Sequence, residues 1–398
     1  MLTLALDSYT TDWLNLLVRG LHVIAGIVWI GASFYFIALD NHLHKPEDEG
    51  DVEQGVGGEA WEIHGGGFYR VQKYKVAPLK LPEPLLWFKW EAYTTWLTGF
   101  ALLVVLYYAN ADSYLIDRTV ADLSTAAAIG ISVGILAAGW VLYDVLCRVL
   151  ARSELVLAAV VVACTTGLAY GAENLFSARG AYIQVGATLG TIMAGNVCFV
   201  IIPAHWELVR AKKAGREPDP APGLKAKQRS VHNNYLTLPV VFTMISNHFP
   251  ITYGHDFAWA VLVALMLIGA WVRHYFNLRH TGRNVLAIPV SAAVAIALVA
   301  VWVRPDSPEA PPPPPPAAGA ADAGKAVFAS AGCGSCHVLA DASAAGTIGP
   351  NLDEAKPSRE LVLQRVENGQ GVMPAFKNQL SPDQIEAVAD YVSRVAGK

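Results

Sequence analysis

Apolar residues in this chain are bunched into long runs at 14–39, 93–109, 124–146, 155–171, 182–203, 235–253, 257–276 and 285–303. Each run approaches the ~20 residues a helix needs to cross a bilayer, so the pattern predicts eight transmembrane helices. The sixth is the weakest, because Pro239 and Pro250 interrupt it. Proline is tolerated in membrane helices where neighbours satisfy the freed carbonyls. After the last run the pattern changes. Residues 305–321 include six consecutive prolines, 311–316, a semi-rigid polyproline II spacer. Beyond it, Gly324-Lys325-Ala326-Val327-Phe328 opens one helix. Ser381-Pro382-Asp383-Gln384 reads as N-cap, N1 proline and capping-box glutamine of another. Ile385, Val388, Tyr391, Val392 and Val395 then share one face at helical spacing. The predicted fold class is all-α: an eight-span bundle over 1–304, a linker over 305–320, and a small helical domain over 321–398.

Composition supports membrane residence. Hydrophobic residues make up 54% and charged residues 16% of the 398, against about a quarter charged in soluble domains. No polycationic face suggests nucleic acid; the lipid bilayer is the expected partner. Basic residues sort by connection. Lys45, Arg70, Lys73, Lys75, Lys80 and Lys89 follow the first run, and Arg148 and Arg152 the third. Arg210, Lys212, Lys213, Arg216, Lys225, Lys227 and Arg229 follow the fifth, and Arg279 and Arg283 the seventh. The alternate connections hold little beyond Arg118 and Arg179. The positive-inside rule then places both termini on the outer side of the cell membrane. Met1 to Asp12 carry no basic charge ahead of the first run, so no signal peptide is read.

Cys333-Gly334-Ser335-Cys336-His337 is a C-x-x-C-H string, the attachment site of a covalent haem c with His337 as an axial iron ligand. A zinc site or redox disulfide is the competing reading. Met373, in Gly371-Val372-Met373-Pro374, supplies a thioether suited to the sixth position. Gly349-Pro350-Asn351-Leu352 resembles the class I cytochrome c loop whose proline carbonyl receives the ligand imidazole N–H. That bond fixes the ring. The stretch as a whole resembles a class I cytochrome c domain. Haem c is attached outside the cytoplasm, which agrees with the charge-derived orientation. Cys147, Cys164 and Cys198 sit inside apolar runs and are expected to be buried, inert thiols.

Histidine inside a membrane span is a functional hypothesis by default. His22 lies about 12 Å below the outer end of the first span at 1.5 Å per residue. His248, late in the outward-running sixth, lies toward the same side. The pair could ligate a haem b or another metal, with His274 as an alternative ligand. The plainer reading is two unrelated histidines, each bonded to a neighbouring carbonyl. On the inner side gather His64, Tyr69, Arg70, Gln72, His205, Arg229, His232, Asn233, Asn234, His280 and Arg283. Singly these suit caps and headgroup contacts. Together they could form a pocket for a flat polar anion, with an arginine fork and amides as donors and histidine as base. The connection 40–91 is too long for a bare loop, and its His64-Gly65-Gly66-Gly67-Phe68-Tyr69-Arg70 string permits close backbone approach to a ligand.

The strings HVIAGIVWIGASFYF, HGGGFYRVQKY, WFKWEAYTTWLTGF, HNNYLTLPVVFTMISNHFP and NLRHTG resemble the bacterial membrane-bound, cytochrome c-linked urate oxidases over nearly the whole chain. The resemblance implies an oxidoreductase that converts urate to 5-hydroxyisourate without making hydrogen peroxide. Electrons would pass through haem c to a soluble periplasmic cytochrome or a terminal oxidase. It also implies a urate pocket, read here at His64, Tyr69, Arg70, His232, Asn233 and Asn234. Urate gives up two electrons and haem c accepts one, which is the reason to look for a haem b at His22 and His248. The first span also resembles, more briefly, membrane protoporphyrinogen oxidases that bind haem b. The competing functions are a membrane dehydrogenase for quinol or another reduced heterocycle, an anchored electron-transfer cytochrome, and a haem-biosynthesis oxidase.

Overall fold

Helices form at all eight apolar runs. The computed structural model describes residues 8–118, 120–304, 320–346, 349–369, 373, 376–377 and 379–398. The chain divides into two units, Met1–Arg304 and Pro305–Lys398. The proline-rich linker lies outside the described residues except for Ala320.

The first unit runs α1 (Ser8–His42), α2 (Glu49–Glu53), β1 (Val56–His64), β2 (Gly67–Tyr74), α3 (Trp90–Leu102), α4 (Ala111–Tyr114), α5 (Thr125–Val149), α6 (Glu154–Glu173), α7 (Ala178–Asn196), α8 (Ile202–Lys213), α9 (Pro220–Ser246), α10 (Pro250–Tyr253), α11 (Ala258–His280) and α12 (Ala287–Trp302). Wider π-helical turns extend α3 over Leu103–Tyr108 and join α7 to α8 over Val197–Ile201. The second of these precedes Pro203, where a wider turn accommodates a ring that an α-helix would clash with. Among the described residues, five helices are long and apolar enough to cross a membrane: α1, α5, α6, the joined α7–α8, and α11. α12 is shorter, and neither α3 nor α9 is among the five. The count of eight spans stays a sequence expectation.

Two boundaries differ from the apolar pattern. α9 starts at Pro220, not near 235, and runs unbroken through Pro239. Asp219 caps it, accepting from the Ala221 N–H, so its polar first half is helical where hydropathy shows nothing. The connection 40–91 also carries structure that the apolar pattern does not show, as its length implied. It folds as an antiparallel hairpin, with His64 paired to Gly67 around Gly65 and Gly66. Both turn glycines have positive φ, +58° and +85°, with open space around them. The glycines therefore serve a two-residue turn that β-carbons would strain.

α7 is the central helix. Of its most apolar stretch 61% is buried, against 11–28% for the other four spans. Tyr182, Val185 and Leu189 of α7 meet Phe176, Leu115, Leu157 and Leu262 in the main core. Outer helices turn aliphatic faces outward: Leu17, Ile24 and Ile27 on α1, and Val290, Val294 and Leu298 on α12. Exposed Leu, Ile and Val in that density suit a lipid surrounding. Cys147 is buried, but Cys164 and Cys198 are exposed. That corrects the expectation for both: an apolar run can face lipid as well as protein.

The second unit comprises α13 (Ala320–Ser330), β3 (Val338–Leu339), β4 (Ala344–Ala345), α14 (Leu352–Ala355), α15 (Arg359–Asn368) and α16 (Pro382–Val395). The predicted capping box is present, with the Gln384 N–H on Ser381 Oγ at 3.3 Å and the Ser381 N–H on Gln384 Oε1 at 2.9 Å. Phe328, Leu339, Val366, Ile385, Val388 and Val392 form its core. α13 crosses α16 at Gly324, where a β-carbon would lie 2.2 Å from the Ala387 carbonyl.

Candidate functional site

In the second unit the attachment string sits on a 3₁₀ turn, Cys333–Ser335, held by Cys336 N–H to Cys333 O at 3.1 Å. Both cysteines are unpaired thiols, so the redox disulfide is not formed. Burial pushes the Cys333 thiol up to about 11. His337 Nδ1 donates to the Pro350 carbonyl at 2.9 Å, which leaves Nε2 as the basic nitrogen. Met373 packs against the core of the same unit; residues 370–372 and 374–375 lie outside the described residues. Two thiols, an oriented imidazole and a thioether in one small domain form the donor set that a covalent haem c requires, and they fit it. Nearby, Asp341 accepts from Tyr391 Oη at 2.6 Å and pairs with Lys325 at 3.2 Å. These contacts, the tyrosine first, hold its carboxyl below the usual carboxylate range.

In the first unit the residues read as one pocket are divided. His64 and Tyr69 are exposed on the hairpin. Arg70 is committed to Glu59 at 2.5 Å and Asp51 at 2.6 Å. The Glu59 carboxylate raises its guanidinium further. The other three share α9 but point differently, because successive helical residues are 100° apart. Among the described residues, no hydrogen bond or ring contact joins the hairpin three to them.

His232 and Asn233 face α5, α6 and α7. His232 Nδ1 bonds Tyr143 Oη at 2.7 Å, and Nε2 meets Glu154 at 3.1 Å. Asn233 Nδ2 donates to the Met193 carbonyl and its Oδ1 accepts from Asn196 Nδ2 at 2.9 Å. Arg229 pairs with Asp144 at 2.7 Å and lies over the Tyr143 ring. Asp144 also takes Arg148 at 2.6 Å. This network is closed: each buried group has a partner. Tyr143, Glu154, Lys227, Gln228 and His232 rim a cavity of about 540 Å³ between α6, α9 and α11. Its walls are aliphatic, from Leu157, Val161, Leu189, Val263 and Met266.

Asn234 faces α11 and α1 instead. Its Oδ1 accepts from Arg273 Nε and from Asn277 Nδ2, both at 3.0 Å. The Arg273 guanidinium lies 3.8 Å over the Phe34 ring. The sequence reading missed Arg273 and Phe34; a lone arginine three residues from the end of an apolar run was the available signal.

His22 and His248 are not joined either. His22 packs α1 against α3, with Nδ1 bonded to the Thr95 carbonyl at 3.0 Å and near Thr98 Oγ1 at 3.1 Å. His248 is exposed in the turn after α9. His274 bonds Tyr235 Oη at 2.7 Å and stacks on Trp271. Among the described residues no group of three His, Cys, Asp or Glu could hold a metal ion. Nothing in this arrangement supports a haem b.

The two units define the class: an apolar helical bundle with the character of a membrane protein, joined to a c-type cytochrome. Comparison with known proteins agrees. Residues 8–304 match the family model "Urate oxidase N-terminal", and the chain belongs to that family. Residues 319–392 match "Cytochrome C oxidase, cbb3-type, subunit III". Cytochrome c6 of Leptolyngbya boryana is 43% identical over 82 residues, 20% of this chain and 95% of that protein. Cytochrome c6 of Microcystis aeruginosa is 40% identical over 79 residues, 19% of this chain and 96% of that protein. Among solved structures, the c-type cytochrome SorU of Sinorhizobium meliloti is 50% identical, covering 20% of this chain and 93% of its own, with a TM-score of 0.19.

Proposed function

We propose that the chain oxidises urate to 5-hydroxyisourate in its helical bundle and passes the electrons to haem c, without forming hydrogen peroxide. The reaction balances with water as the oxygen source: urate and water give 5-hydroxyisourate, two electrons and two protons. The observation that carries this reading is the combination, in one chain, of a urate oxidase N-terminal domain with a formed haem-attachment site. Cys333 and Cys336 would hold the haem covalently, with His337 and Met373 as axial ligands. Haem c supplies a one-electron acceptor, raised in potential by a thioether ligand. The chain's own part is to fix the ligand ring through Pro350, to bind the purine among helices, and to keep bulk water away from it. A soluble periplasmic cytochrome or a terminal oxidase takes the electrons onward. The bundle lies in the cell membrane with the cytochrome outside.

Of the six residues read as the urate pocket, Asn234 is the one that keeps an unmatched buried donor. A second reading draws on the 540 Å³ cavity. Aliphatic walls with a polar rim suit a quinol, whose head would meet His232 and Glu154, better than they suit a polar oxopurine.

Anaerobic addition of urate to oxidised membranes tests the choice. Growth of the reduced haem c α-band with urate, and no peroxide on admitting air, is the expected result. Reduction by a quinol and not by urate would replace this reading with the second.

A further inference from the structure

Three buried polar atoms around Asn234 have no hydrogen-bond partner: Asn234 Nδ2, Arg273 Nη2 and Asn277 Oδ1. Arg273 is 4% exposed and Asn234 0%. The remaining atoms of the group are well placed, through Arg273 Nε and Asn277 Nδ2 on Asn234 Oδ1. The three unmatched atoms therefore belong to residues held in one hydrogen-bonded cluster. Swapping the amide O and N of either asparagine moves the unmatched atom without removing it.

The charge balance is equally open. Arg229, the other arginine of the bundle that is 4% exposed, meets the Asp144 carboxylate. Arg273 pairs with no carboxylate among the described residues. Buried charges are normally paired or metal-bound, since a lone one keeps its desolvation cost. An ordered water could take up the loose valences, but it brings no charge. The Phe34 face beneath the guanidinium fixes its plane. An arginine held in this way offers its fork edge-on to a planar oxyanion.

We propose that Arg273, Asn234 and Asn277, with Phe34 orienting the guanidinium, form a binding site for a planar heterocyclic anion. The anion would accept from Arg273 Nη2 and Asn234 Nδ2, and donate a ring N–H to Asn277 Oδ1. Two acceptors and one donor along the edge of a flat monoanion describe an oxopurine such as urate. Entry is from the side of Asn277, the half-buried member, whose carbonyl accepts from Asn41 of α1 at 3.4 Å. Asn234, Arg273 and Asn277 are not among the residues lining the His232 cavity. That urate is the anion rests on the function proposed above; that an anion binds here does not.

The test is equilibrium dialysis of radiolabelled urate against the purified full-length protein in detergent, alongside urate-driven haem reduction. Arg273→Gln removes the charge, and Arg273→Lys keeps it without the fork. Asn234→Asp gives Arg273 a carboxylate of its own and should displace the ligand while leaving melting at or above the wild-type value. Each variant is expected to weaken urate binding at least tenfold, with Arg273→Lys the mildest. Unchanged binding in a folded Asn234→Asp protein would overturn the site, and with haem reduction intact it would leave the urate function standing. Arg273-dependent binding without haem reduction would do the reverse. If urate does not bind wild type at all, the site as assigned to urate fails.

Discussion

The two units use polar side chains in opposite ways. In the small unit the contacts that orient His337 and cap α16 are short in sequence: His337 reaches Pro350, 13 residues on, and Ser381 reaches Gln384, 3 residues on, while Tyr391 to Asp341 is the long exception at 50. Its stability comes from an apolar core where α13 crosses α16. In the bundle the polar contacts join distant helices: Ser132 to Gln184 across 52 residues, Asn196 to Asn233 across 37, and Arg229 to Asp144 across 85. Lipid is as apolar as leucine, so burial alone does not choose among helix pairings there. Polar pairs do. The bundle repeats the contrast within itself, since the cluster around Asn196 is closed and the cluster around Asn234 is open. A closed cluster specifies structure, whereas an open one is suited to a ligand.

Several substitutions should separate the two units. Replacing both Cys333 and Cys336 with serine should abolish covalent haem, read as loss of haem stain on a denaturing gel. The bundle should still melt as wild type; a bundle that no longer folds would contradict the independence of the two chemistries. Asp144→Asn should destabilise the bundle by about 3–5 kcal/mol, the cost of stranding a buried charge, while haem stain is retained. Arg273→Gln loses a hydrogen bond but no ion pair, so ligand-free melting should fall by only about 1–3 kcal/mol. Equal losses for these two would erase the distinction between closed and open clusters. In the small unit, Gly324→Ala forces α13 off α16 and should cost about 1–3 kcal/mol. Ser381→Ala should cost about 1 kcal/mol through the lost cap. The smallest effect is a pH dependence. A carboxyl held low stabilises the fold above the ordinary carboxylate range, and that contribution is lost as pH falls through its lowered value. Tyr391→Phe should therefore make acid unfolding of the cytochrome unit begin at higher pH, read by haem absorbance; an unchanged acid limb would show that Tyr391 is not the dominant partner of Asp341.

Legibility followed the same divide. Helices at the apolar runs, the cap at Ser381 and the imidazole bond at His337 were all readable, because each depends on neighbours along the chain. The hairpin was missed although its signal was present: two stretches rich in aromatic and β-branched residues, with Trp61 and Ile63 on one side and Phe68, Tyr69 and Val71 on the other, meeting at Gly65-Gly66. Reading the glycines as ligand contacts hid the turn. The start of α9 was missed because hydropathy is blind to a polar helix. The sixfold pocket was misjudged in its grouping, because 100° between successive residues sends Asn233 and Asn234 to different neighbours.

What the sequence alone determined is local and periodic: where helices lie, that the bundle is apolar, and that Cys333-Gly334-Ser335-Cys336-His337 has the spacing of a haem c attachment string. Only the tertiary structure decided which polar groups meet. Arg273 lies in an apolar run and Arg229 in the polar first half of α9, yet both are 4% exposed. Their difference arises from which helix packs opposite each, and that depends on contacts made across the bundle, which no stretch of chain encodes by itself.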